Sequence, residues 1–148
     1  MLHVAHDVTH LFFHNTTREP TTPATDADWM VLLLGTDQDA KTGHLGYDFR
    51  LNQTRSASDS ASIEHWNGKA WESAGSAELQ VAAKELHLAI ERSILHIDPE
   101  KPMCLDFKWT DNIPATSDGM DFLAQGETAP NARFNYRYTQ TDSSEPKK

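Results

Sequence analysis

The chain has 148 residues, 24% of them charged and 38% hydrophobic, which suits one domain with a sizeable core and neither a disordered nor a membrane-embedded chain. Its formal net charge is -9, and its 13 scattered Lys and Arg argue against the basic face that nucleic acid or an anionic membrane surface requires. A single cysteine, Cys104, excludes an internal disulfide and a multi-cysteine zinc site.

The longest apolar run, residues 29–34, is far short of the roughly 20 residues of a spanning helix. Residues 1–7 have neither the basic start nor the apolar length of an export signal, so a signal is expected upstream if the parent protein is exported. Residues 8–15 alternate loosely, with Leu11 and Phe13 on one face. The Pro- and Thr-rich stretch 16–25 reads as a loop. The run 29–34 reads as a strand buried on both faces, and residues 37–43 as a polar turn. Tyr47, Phe49 and Leu51 alternate with polar residues, as in a half-buried strand, and residues 54–62 read as a loop.

Asn67-Gly68 is a strong hairpin signal. A two-residue loop there sets Trp66 opposite Lys69 and Glu64 opposite Trp71, with the two indoles diagonally adjacent. Residues 77–95 are ambiguous between a helix and two strands, and pattern and propensity alone favour helix. Met103, Leu105, Phe107 and Trp109 alternate with Cys104, Asp106 and Lys108 in a further strand, followed by a loop at 112–119. Residues 133–138 read as a last strand, which places the rings of Phe134, Tyr136 and Tyr138 on an apolar face. The domain is expected to span 1–139, with 140–148 a disordered tail. Several strands separated by turn signals point to an all-β sandwich or barrel.

A set of segments occurs in a telling order: Asp28-Trp29-Met30, Thr36-Asp37-Gln38-Asp39, Thr42-Gly43, Gly46-Tyr47-Asp48-Phe49, Glu85-Leu86, Phe107-Lys108-Trp109-Thr110-Asp111-Asn112, Met120-Asp121-Phe122, and Ala129-Pro130 followed by Arg133-Phe134-Asn135-Tyr136. Over residues 8–138 the chain resembles the carbohydrate-binding family 9-like, DOMON-related β-sandwich domains, which are often appended to secreted bacterial glycoside-degrading or surface proteins. The resemblance implies a two-sheet antiparallel sandwich, with two strands in 77–95 and a short helical turn near 91–95. It implies a non-catalytic carbohydrate-binding module of a larger exported, secreted or cell-surface protein, with a polysaccharide or oligosaccharide and a neighbouring catalytic domain as partners. The Gly-Asn turn usual in such domains near Ala83-Lys84 is missing, and one or more strands often precede the point where this chain starts.

Sugar rings present apolar C–H faces that stack on aromatic rings, while carboxylates, amides and Arg bind their hydroxyls. Trp66 and Trp71 are candidates for an aromatic platform, or for packing on the edge of the core. Trp109 follows the register of Phe107 and is expected to face inward, though it too is a candidate ligand residue. Asp111 and Asn112, with Asp118, Arg133 and Asn135, are candidates for a polar recognition end, against the alternative of an Arg–carboxylate bridge through Asp111 or Asp121.

Asp37, Asp39 and Asp48 are candidate ligands of a structural Ca²⁺, although Lys41 and the position of Gly43 break the EF-hand pattern and a solvated acidic turn is the simpler reading. His6, His10 and His14 resemble a metal ladder, but four residues along a strand span about 13 Å, too far for one ion. No nucleophile elbow or recognisable glycosidase pair is present. Cys104 is expected to be a buried, inert thiol. Two other functions stand beside glycan binding: a structural or docking domain with no ligand of its own, and a haem electron-transfer module of the DOMON kind.

Overall fold

The structure, a computed structural model, describes residues 1–20, 29–53, 59–113, 120, 122, 126–131 and 134–140. Among these residues are ten strands. They are β1 (Leu2–His6), β2 (His10–Thr16), β3 (Val31–Gly35), β4 (Phe49–Leu51), β5 (Ser60–Trp66), β6 (Trp71–Ala82), β7 (Glu85–Glu91), β8 (Cys104–Asp111), β9 (Glu127–Ala129) and β10 (Tyr136–Thr139). No helix among the described residues is long and apolar enough to cross a membrane.

All pairings are antiparallel. The strands run β1-β2-β7-β6-β5-β4-β3-β8-β10, with β9 beside the C-terminal end of β8. The protein is therefore all-β, as expected, with one refinement. Its two layers are halves of one strongly curled sheet, not two sheets separate in their hydrogen bonding.

The long strand β6 carries the sheet from one half to the other. Residues 71–78 pair with β5, while residues 78–82 pair with β7. A bulge opposite Ile63/Glu64 and Gly75, at φ 143°, supply the bend. The halves then close on each other. Phe13 of β2 packs edge-on against Phe107 and Trp109 of β8, with ring centroids 5.1 and 6.1 Å apart. At the ends of the path, His6 of β1 and Tyr138 of β10 share a 2.5 Å hydrogen bond.

The interior is built from the rows that alternation selects: Leu11 and Phe13, Leu86, Leu88 and Ile90, Leu105, Phe107 and Trp109. A second apolar cluster covers the outer face of β3 and β8, where Val31 and Leu33 meet Tyr47, Ile113 and Phe122. This is why β3 is buried at every position and reads as an unbroken apolar run.

Several local expectations change. The two strands implied for 77–95 are present as the β6–β7 hairpin, against the helical propensity of the stretch, because Leu79 and Leu88, paired across it, are both buried. The expected helical turn is present as successive i+3 hydrogen bonds over 91–96, ended by His96 at φ 54°.

At 66–71 the loop holds four residues. The Asn67 side chain accepts hydrogen bonds from the amides of Lys69 and Ala70, so Trp66 pairs with Trp71 and not with Lys69. Tyr47 does not share a face with Phe49 and Leu51. It bridges back to His44 and joins the outer cluster. Ser60 and Ser62, expected in a loop, belong to β5, and β1 had no sequence signal strong enough to mark it.

The last strand starts at Tyr136. Phe134 lies before it and is 74% exposed, and Tyr136 is 41% exposed, so of the three rings only Tyr138 packs on the core. Cys104 is partly exposed, facing Thr139, and is not a buried thiol. Gln140 is anchored at both backbone and side chain to Met103, so the ordered module includes it, and the remainder of the expected tail lies outside the described residues.

Candidate functional site

The sequence-selected residues divide between two places. Trp66 and Trp71 lie on the outer face of the β4–β5–β6 region. They are half-buried, with ring centroids 5.4 Å apart and planes at 67°. The rings are not coplanar, and they are engaged elsewhere. His44 packs on Trp66 at 4.7 Å, and the Arg50 guanidinium sits over Trp71 at 4.8 Å. Arg50 is itself clamped to Glu64 through Nε and Nη2 at 2.6 and 3.1 Å. The space behind Trp71 is about 20 Å³, room for a water and not for a sugar ring. Asn135 joins this outer face, where its Oδ1 accepts from the Tyr47 hydroxyl at 2.6 Å. Burial pushes the Tyr47 phenol well above its ordinary range.

Trp109, Asp111 and their surroundings make the second place. The end of β8, the end of β2 with the residues after it, and β9 enclose a cleft of about 450 Å³. That volume lies within the range of small-molecule sites. Trp109, Met30 and Ala129 give it an apolar floor, and Asp111, Glu127, Glu19 and Asn15 give it polar groups.

Strand register places these groups. Asp111 pairs with Glu127 and Trp109 with Ala129 across β8 and β9. Asp111 Oδ1 also accepts the amide of Met30 at 3.2 Å, which ties the Met30 turn, at φ 46°, to the cleft. Trp109 is inward-facing, as expected, and 4% exposed. Its indole Nε1–H is buried with no hydrogen-bond partner among the described residues. A buried donor left unsatisfied costs about 1–3 kcal/mol, which makes this a place where a change of side-chain position or a bound acceptor brings a gain.

Asn112 follows the cleft in an exposed, left-handed turn at φ 57°. Arg133, Asp118 and Asp121 lie outside the described residues. Among the described residues no Lys or Arg lines the cleft, so its electrostatics suit neutral or cationic ligands.

The acidic turn uses its carboxylates internally. Asp37 accepts from the Thr42 hydroxyl at 2.5 Å and the Asp39 amide at 3.0 Å, and Asp39 accepts from the Lys41 amide at 2.9 Å. Asp48 accepts from the Thr36 amide at 2.8 Å. Burial, helped by repulsion from Asp37, holds the Asp48 carboxyl above its usual range. For Asp37 burial acts upward too, but the bonds from Thr42 and Asp39 outweigh it and bring the carboxyl below that range. Asp37 and Asp48 come close enough for their carboxyls to act on each other, but the three carboxylates do not form one group with all ligand atoms within 4.8 Å of one another.

Glu19, Asn15 and Glu127 had no motif to mark them: closure of the sheet brings Asn15 and Glu19 to Trp109, and the pairing of β9 with β8 brings Glu127. Comparison with known proteins adds no further identification: no protein-family model, curated protein or solved structure matches the chain. The resemblance to family 9-like and DOMON-related domains is neither supported nor refuted by this.

Proposed function

We propose that the protein is a non-catalytic carbohydrate-binding module of a larger exported protein, and that it takes a neutral sugar residue of an oligosaccharide or polysaccharide in the cleft between β2, β8 and β9. The observation that carries this reading is the lining of that cleft. A tryptophan and aliphatic floor lies beside three carboxylates and an amide, with no cation among the described residues, in about 450 Å³. Such a surface complements a pyranose, with apolar C–H faces for the floor and hydroxyl donors for the carboxylates. The outer tryptophans support it less, because His44 and Arg50 already pack against their rings.

The test is a glycan-array and polysaccharide pull-down comparison of wild type with two double variants. Asp111→Asn with Glu127→Gln is expected to weaken binding by about tenfold or more, since each charge-assisted hydrogen bond is worth about 1.5–3 kcal/mol. Trp66→Ala with Trp71→Ala is expected to retain it. The reverse pattern moves the site to the outer face and overturns the cleft. Failure of the wild type to bind any glycan overturns the function and leaves the docking-domain reading. Release of new reducing ends from a bound glycan contradicts the non-catalytic assignment.

A further inference from the structure

The outer face of the first sheet half carries a row of histidines that the linear sequence does not display. Leu11 and Phe13 point into the core, so His10, Phe12 and His14 point out. By the same alternation His87 faces outward between buried Leu86 and Leu88, and His3 faces outward between Leu2 and Val4, which pack on the core. Register then aligns them across three strands, His3 opposite His14 and His14 opposite His87.

The imidazoles of His14 and His87 stack 4.0 Å apart at 13°. Glu85, two residues before His87 on the same face, places Oε2 3.5 Å from His87 Nε2 and 4.0 Å from His14 Nε2. One ligand atom from each of the three side chains lies within 4.8 Å of the others. The His3 ring stands next in the row, 5.9 Å from that of His14.

We propose that His14, His87 and Glu85 form a binding site for a divalent transition-metal cation, with His3 or water as the fourth ligand. Two imidazoles and one carboxylate are a donor set that holds Zn²⁺ with an open position, at ligand distances of about 2.0–2.2 Å. Tetrahedral coordination at those distances sets donors roughly 3.3 Å apart. The present separations contract to that by rotation of side chains that are 33%, 48% and 50% exposed. Imidazole nitrogen selects Zn²⁺, Ni²⁺ or Cu²⁺ over Ca²⁺ and Mg²⁺, which take oxygen ligands. The site lies on β2 and β7, away from the turn of Asp37, Asp39 and Asp48, and is independent of the glycan cleft.

Isothermal titration of the untagged chain with ZnCl₂ tests it. Wild type is expected to bind one Zn²⁺, and excess Ca²⁺ is expected not to compete. Loss of an outer partner of a metal ligand alone costs about 10–100-fold, so His14→Ala and His87→Ala should each weaken binding by about tenfold or more. Glu85→Gln should weaken it, and His10→Ala, on the same face outside the group, should leave it unchanged. All four positions point outward, so the variants should keep the zinc-free circular dichroism spectrum and melting temperature of wild type. Imidazole resonances of His14 and His87 should move on zinc addition. Absence of saturable binding, or binding that His10→Ala weakens as much as His14→Ala, overturns the proposal.

Discussion

Phe13→Ala is expected to lower the free energy of unfolding by about 3–5 kcal/mol. Phe13 is 1% exposed and stands on β2, while the rings it meets edge-on, Phe107 and Trp109, stand on β8. Five strands separate β2 from β8 along the hydrogen-bonded path, so side-chain packing and not a ladder holds them together. Truncation removes the ring's transfer energy and leaves a cavity that a curled sheet, pinned along its whole path, cannot collapse to fill. For a domain of this size the loss is a large part of a total of about 5–15 kcal/mol. Urea denaturation followed by fluorescence checks it, with Phe12→Ala as the neighbouring control. Phe12 faces out and is 37% exposed, so its truncation should change stability by much less. Equal effects at the two positions would mean that the layers do not close as described.

Lys108→Met is expected to flatten the rise of stability with pH between about 8 and 10.5. Lys108 has no exposed surface, because Phe122 and the outer cluster cover the side of β8 from which it projects. Burial pushes its ammonium down from 10.5 to about 8. The folded state at neutral pH therefore carries a penalty for holding that charge, which is relieved as the group loses its proton.

Between about pH 8 and 10.5 the unfolded chain binds the proton more tightly, so this group makes stability rise with pH across that window. Methionine removes the titrating group and also the polar contacts of its ammonium, among them the bond to the carbonyl of Pro130, which accepts from Lys108 Nζ at 2.7 Å. That loss does not vary with pH, whereas the penalty does. The variant's stability relative to wild type should therefore be highest at pH 7 and fall towards pH 10. Tyr47, with its phenol raised by burial, acts in the opposite direction at the alkaline end, and the difference between the two proteins cancels it. A difference that stays constant with pH would show that the ammonium does not carry the penalty.

Much of the sheet was legible where one rule acted alone. The apolar run before Gly35 marked a strand covered on both faces, and Leu105, Phe107 and Trp109 marked the inward row of β8. What failed depended on partners distant in sequence. For residues 77–95 propensity alone pointed to a helix, and the two strands implied by the resemblance prevail because Leu79, Leu86, Leu88 and Ile90 are buried in one interior. The hairpin of Trp66 and Trp71 went wrong by register, because the Asn67 side chain widened its own turn.

The cleft was half legible. Trp109 and Asp111 stood out at the end of their strand, whereas Glu19 joins them only after closure and Glu127 only through the pairing of β9 with β8. The histidines were weighed along β1 and β2, where the spacing forbids a shared ion. The group that converges runs across β2 and β7, a pairing that no local pattern specifies.

The central claim is that a glycan occupies the cleft floored by Trp109. The four tryptophans give four indole N–H resonances, and a nitrogen–proton correlation spectrum recorded during titration with a bound oligosaccharide reads them separately. The Trp109 indole N–H, which has no partner among the described residues, is expected to shift on binding, while those of Trp66 and Trp71 stay in place. Movement of the Trp66 and Trp71 resonances with that of Trp109 unchanged would contradict it.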